Sequence, residues 1–145
     1  MNIKFMEKAI DIAQNSGTDL PVGAVIVKNG EIIAAFHNEK EKTQDVTAHA
    51  EILCIRQASK VLSNWRLTGC DLYVTLEPCP MCLWAIIQSR IENLYFGSYD
   101  SLYGAISTMP EIIKNTGSKL NYKGGIMELE NNKILNDYFA VIREK

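Results

Sequence analysis

Val22-Gly23-Ala24-Val25-Ile26-Val27-Lys28-Asn29-Gly30-Glu31-Ile32-Ile33-Ala34-Ala35-Phe36 contains two apolar runs of strand length joined by an Asn-Gly pair. A tight hairpin turn matching strand twist needs positive φ at both central residues, which Asn and Gly tolerate, so this stretch predicts a β-hairpin. Upstream, Phe5, Met6, Ala9, Ile10 and Ala13 recur at i, i+3, i+4 spacing, predicting an amphipathic helix over Lys4–Gln14. Asn15 to Asp19 end it with turn chemistry.

Downstream, Asn38–Asp45 is polar and reads as a surface loop, and Ala48–Leu62 returns to helical spacing with Ile52, Leu53, Ile55 and Ala58. Leu72–Leu76 is strand-like and Pro78 stops it. Cys79–Arg90 follows as a helix with Pro80 in its first turn, where a missing amide hydrogen costs little. Leu94–Phe96 reads as a strand, Pro110–Lys114 as a short helix and Gly117–Gly125 as a loop. Ile126–Leu129 reads as a further strand and Lys133–Arg143 as a final amphipathic helix. A hairpin followed by strands alternating with helices predicts a mixed sheet covered by helices, an α/β sandwich.

With 145 residues, the chain is expected to be a single domain, residues 1–145, with a core that needs no disulfides. Fifteen Lys and Arg against 17 Asp and Glu give a formal charge of −2, without the strongly basic balance that would by itself indicate nucleic-acid binding. Neither a signal-peptide pattern nor an apolar run of about 18 residues is seen, so the expectation is a cytoplasmic chain without a membrane segment. Four cysteines in a reducing compartment read more readily as metal ligands or core residues than as disulfides.

Val46-Thr47-Ala48-His49-Ala50-Glu51 and Thr75-Leu76-Glu77-Pro78-Cys79-Pro80-Met81-Cys82 carry the chemistry. His49, Cys79 and Cys82 are three zinc-ligand types, and a catalytic zinc keeps three protein ligands with a fourth position open. Both groups fall at predicted helix starts, where amide hydrogens and the macrodipole favour thiolates. Glu51 is then placed to move protons. A structural zinc would need a fourth ligand. Cys54 lies five residues past His49, rotated by about 140° and displaced by about 7.5 Å along a helix. Cys70 is roughly 20 Å away along its strand at about 3.3 Å per residue. Both read as core residues, and His37 merely ends a strand, so the open site is the preferred reading.

His49-Ala50-Glu51 followed by Pro78-Cys79-x-x-Cys82 resembles the signature of the zinc-dependent nucleoside and base deaminases of the cytidine/deoxycytidylate deaminase superfamily. Within it, the chain is most similar to the bacterial tRNA-specific adenosine deaminases, from Pro21-Val22-Gly23-Ala24-Val25 to Tyr138-Phe139. Asp45 to Ile52 and Leu72 to Cys79 match two motifs; Ser89-Arg90-Ile91, Phe96-Gly97-Ser98-Tyr99-Asp100 and Asn121-Tyr122 resemble stretches that hold the anticodon loop. Val46 stands where proline is usual, Trp84 where a small residue is usual on a dimer-forming helix, and Tyr122 where histidine is usual.

The resemblance implies a three-layer α/β/α sandwich on a five-stranded mixed sheet. It also implies one Zn2+ per subunit on His49, Cys79 and Cys82, with Glu51 as the proton shuttle. Asn38, Asp100 and Tyr122 would contact substrate: Asn38 the flipped purine, Asp100 a ribose of the anticodon loop. The implied activity is hydrolytic deamination of the wobble adenosine of tRNA to inosine by a zinc-bound hydroxide, in a homodimer bound to a tRNA anticodon stem-loop. Lys114, Lys119, Lys123, Arg143 and Lys145 could form a basic rim, with Glu111, Glu128 and Asp137 interspersed. A free-base deaminase acting on guanine or cytosine shares the zinc motifs, but the Phe96 to Asp100 stretch argues against it. A non-catalytic, zinc-stabilised RNA-binding module would have no use for Glu51.

Overall fold

The computed structural model describes residues 1–144. The hairpin forms as expected, with β1 at Gly23–Lys28 and β2 at Glu31–His37. Asn29 and Gly30 take φ values of 52° and 78°, the left-handed pair that a twisted hairpin requires. Ile26 pairs with Ala34 and Val27 with Ile32, so Ile33 is the extra residue of a bulge. β3 (Cys70–Leu76) adds antiparallel to β1, β4 (Asn93–Ser98) parallel to β3, and β5 (Asn121–Lys123) parallel to β4. The sheet order is β2-β1-β3-β4-β5: five strands, mixed.

Strand alternation divides the apolar residues between two faces. Ala24, Ile26, Leu72, Val74, Leu94 and Phe96 share one core with α3 (Ala50–Leu62) through Ala50, Cys54 and Ala58, and with α4 (Pro80–Gln88) through Leu83, Ile86 and Ile87. Val25, Val27 and Tyr73 share another with α1 (Ile3–Ala13) through Met6, Ala9 and Ile10. Because both faces are covered, β1 and β3 read as nearly continuous apolar runs. Gly23 is the point of closest approach: a Cβ there would collide with the Ala9 carbonyl oxygen and the Ala13 amide nitrogen of α1. Cys54 and Cys70 are wholly buried in the first core, as the sequence suggested.

Three expectations need correction. Residues 126–129 are not a strand. Ile126 is buried, Met127 has a φ of 53°, and α7 (Glu128–Arg143) starts there, ahead of the expected Lys133. The fifth strand lies inside the stretch read as a loop, at Asn121–Lys123, where all three residues are exposed on the sheet edge and offer no apolar alternation to read. The polar segment after Asn38 contains a single-turn helix, α2 (Lys40–Thr43), whose amides at Glu41 and Lys42 are held by the Asp19 carboxylate from a distant loop. Short helices α5 (Ala105–Thr108) and α6 (Glu111–Thr116) complete the chain. Among the described residues, no helix is long and apolar enough to cross a membrane.

β3 and β4 run parallel, so their carboxyl ends open on one side of the sheet, where α3 and α4 begin. Crevices at that side are where ligands settle in such folds.

Candidate active site

His49 and Cys79 occupy equivalent places, the extended residue just before α3 and just before α4. Neither side chain caps its helix, so both are free for other work. Cys82 sits in the first turn of α4, facing the same point. His49 Nδ1 is 3.4 Å from Cys82 Sγ and 3.7 Å from Cys79 Sγ, and the three ligand atoms lie within 4.8 Å of one another. A tetrahedral zinc bound to one imidazole and two thiolates sets that N···S edge at about 3.5 Å. The triad is therefore spaced to hold zinc, and among the described residues it is the group of three or more such side chains close enough to hold a metal ion.

Charge distribution in the triad fits a cation site. Without metal, the Cys79 thiol is drawn down to about 4, chiefly by the hydrogen bond from Cys82, with His49 assisting against burial. Cys82 is pushed up by the same hydrogen bond, by burial and by the Glu51 carboxylate. His49 is raised, mainly by its bond to Cys79. The imidazole and the two sulfurs thus converge on one point, where a dication would displace the proton they share. Glu51, in the first turn of α3, is 4% exposed, and burial lifts its carboxyl to about 7. An acid titrating near neutrality can both accept and return a proton.

His49, Glu51 and Cys79 line a cavity of about 630 Å³, within the range of small-ligand sites. Asn38 lines it too: its Oδ1 accepts the Ala50 amide hydrogen at 2.8 Å, capping α3, while its Nδ2 makes no hydrogen bond among the described residues. The asparagine is therefore a helix cap and a cavity donor at once. Asp100 also lines the cavity, with Oδ1 accepting the amides of Leu102 and Tyr103, each at 3.0 Å. Tyr122 is not brought to the cavity; it is half-exposed on β5. Lys114, Lys119, Lys123 and Arg143 also lie off the cavity lining, and Lys145 lies outside the described residues.

Glu77, inside the second motif, has a role that the sequence alone does not reveal. It is 3% exposed, and its carboxylate accepts the Asp100 amide at 3.0 Å, the Ser107 amide at 2.7 Å and the Ser107 hydroxyl at 2.8 Å. It ties the turn before Cys79 to the 100–107 segment across a gap of about thirty residues in sequence. The available signal was an acid at the end of an apolar strand, immediately before Pro-Cys. Tyr103 and Tyr138, far apart in sequence, also reach the cavity.

Comparison with known proteins agrees with this geometry. Residues 1–98 match the cytidine and deoxycytidylate deaminase zinc-binding region. The chain is 41% identical to a tRNA-specific adenosine deaminase of Bacillus subtilis over 97% of its own length and 90% of that protein's. A solved tRNA:A34 deaminase, described as editing A to I at the wobble position of transfer RNA, superposes with a TM-score of 0.88 at 40% identity. That match covers 92% of this chain and all of the other. A guanine deaminase from Bacillus subtilis superposes with a TM-score of 0.65 at 44% identity, covering 68% of this chain and 66% of that one.

Proposed function

The chain belongs to the zinc-dependent cytidine and deoxycytidylate deaminase family, and from that premise we propose that it hydrolyses the wobble adenosine of tRNA to inosine. The observation that carries the chemistry is a buried Glu51 carboxyl lining one cavity with a His-Cys-Cys group whose ligand atoms lie within 4.8 Å of one another. The near full-length likeness to tRNA adenosine deaminases supports the substrate.

His49, Cys79 and Cys82 would hold zinc, which when bound lowers the pKa of a water ligand to about 7. Glu51 takes one proton from the attacking water and delivers it to the purine ring nitrogen, then carries the second proton of that water oxygen to the departing amine. The bond from the purine carbon to nitrogen breaks, a bond to the water oxygen forms, and ammonia leaves. Asn38, fixed by its cap to α3, presents Nδ2 to an acceptor on the inserted base. Asp100 has one carboxylate oxygen committed to its own turn, leaving the other for a ribose hydroxyl. Tyr122 would meet RNA outside the cavity. An unpaired anticodon loop supplies a base already free of its helix, which lowers the cost of inserting it.

The wider reading is a single deaminase domain that works in the cytoplasm as a homodimer. Exposed Met81 and Trp84 on α4 support the pairing, since apolar side chains of that size on one helix face are suited to an interface. A guanine deaminase is the second reading, favoured by the partial likeness to that enzyme. Zinc-loaded protein offered anticodon stem-loop RNA, adenosine, guanine and cytosine in parallel separates them. Inosine in the RNA alone is expected; turnover of guanine alone would overturn the substrate assignment.

A further inference from the structure

The 100–107 segment contributes Asp100 and Tyr103 to the cavity lining and carries two large side chains turned outward. Leu102 is 75% exposed and Tyr103 is 68% exposed, and Tyr103 also lines the cavity. Exposed apolar tips of loops are usually mobile, yet this one is fastened from beneath. Asp100 Oδ1 holds the amides of Leu102 and Tyr103, the Gly104 amide bonds to the Asp100 carbonyl at 2.9 Å, and the Ala105 amide bonds to the Pro78 carbonyl at 2.9 Å. Buried Glu77 grips Asp100 and Ser107 on either side. Gly104 has no substitute here, because a Cβ would meet the Glu77 carboxyl group and the Asp100 carbonyl oxygen. The turn is thus held in one shape, with the Tyr103 ring on its outer rim.

Charge explains what such a ring could be for. The cavity is lined by Asp19, Glu41, Glu51, Glu77 and Asp100 against a single lysine, Lys40, on a chain with a formal charge of −2. A cavity lined in this way offers phosphates little, since their recognition depends on Lys and Arg. At this rim, holding an unpaired base then has to come largely from stacking, which is insensitive to charge and uses the face of an aromatic ring.

Resting on the tRNA-deaminase reading above, we propose that Tyr103 is a stacking platform for the unpaired nucleobase next to the inserted adenosine. Ring area matters for that role and the hydroxyl does not, consistent with a hydroxyl that makes no hydrogen bond among the described residues. The platform is rigid before RNA arrives, so the loop need not be ordered on binding, and affinity is retained that would otherwise be lost to ordering.

The test compares Y103A and Y103F with the unsubstituted protein on an anticodon stem-loop, and on the same RNA carrying an abasic site at the nucleotide before or after the adenosine. Y103A should raise KM roughly tenfold, the usual scale for one stacked base, with kcat and zinc content retained; Y103F should behave as the unsubstituted protein. One abasic RNA should show the same loss with the unsubstituted protein and little further loss with Y103A, because both changes remove one contact. Additive losses, or a Y103A enzyme with unchanged KM, would overturn the platform while leaving the deaminase reading intact. A shift in oligomeric state of Y103A by sedimentation would assign the ring to a second copy of the chain instead. No inosine from the unsubstituted protein would overturn the deaminase reading itself, and the platform with it.

Discussion

Replacing Glu77 with glutamine keeps the shape of the side chain and changes one oxygen into an amide. The carboxylate is 3% exposed and serves three donors: Oε1 takes the Asp100 amide and the Ser107 hydroxyl, and Oε2 takes the Ser107 amide. A glutamine NH2 placed at Oε2 would point at the Ser107 N–H. Placed at Oε1 it would point at the Asp100 N–H, although the Ser107 hydroxyl could rotate and accept from it. Either way one backbone donor is left facing another donor, with little water to relieve it. A buried donor without its partner costs about 1–3 kcal/mol, and hydrogen bonds to a charged acceptor are the stronger kind. E77Q should therefore lose about 2 kcal/mol, and E77A, which strands all three donors, about 3–5 kcal/mol. Urea titration at one fixed free zinc concentration measures this, since the stabilisation from bound metal is then common to all variants. Amide exchange at Asp100 and Ser107 should quicken in both variants while zinc content is unchanged. An E77Q protein within about 0.5 kcal/mol of the parent, the scale of an ordinary surface change, would refute the three-bond clamp.

The zinc-free protein should show the ionisation of Glu51 directly. Its carboxyl is near 7 when folded against an ordinary 4.5, so below about pH 4.5 both states are protonated and it contributes nothing. Between those values the unfolded state ionises first and stability falls, and above about 7 the penalty is constant. E51Q should therefore stabilise metal-free protein at pH 8 by about 3 kcal/mol and leave it unchanged at pH 4, as read by thermal melts in chelator. The same E51Q protein, zinc-loaded, should retain its metal and lose turnover; metal loss would make Glu51 a ligand. C82S should bind zinc far more weakly than the parent, by metal analysis after gel filtration, because two remaining ligands leave the tetrahedral shell too open. G23A should destabilise the fold by about 3 kcal/mol, since the added methyl meets backbone atoms of α1 that cannot move aside cheaply, and equilibrium unfolding would detect it.

Some of this was legible in one dimension and some was not. The hairpin could be read from Asn29-Gly30 because positive φ at both positions is a local demand that few residue pairs meet. α1, α3 and α4 could be read because each buries one face, and a face has a period. β5 could not, since Asn121, Tyr122 and Lys123 form an edge strand exposed throughout, paired with β4 through the main chain. Ile126 misled for the opposite reason: its apolar side chain is buried as the lead-in to α7, and Ile126-Met127-Glu128-Leu129 is too short a run to carry a period that distinguishes a strand from a helix start.

At the site, the sequence by itself determined the donor types, because zinc affinity and proton transfer depend on which atoms are offered, and His, Cys and Glu announce theirs. It also determined which cysteines were spare, because Cys54 and Cys70 lie too far along a helix and a strand to join the others. Tertiary structure alone decided which side chains share a space with that chemistry. Asn38 reaches the cavity because it caps α3 across twelve residues, and Asp100 because a buried carboxylate at Glu77 pins its turn beside Cys79. Tyr103 and Tyr138 meet the same cavity although 35 residues separate them. Such meetings follow from where parallel strands end and which helices cover them, and no spacing along the chain encodes that.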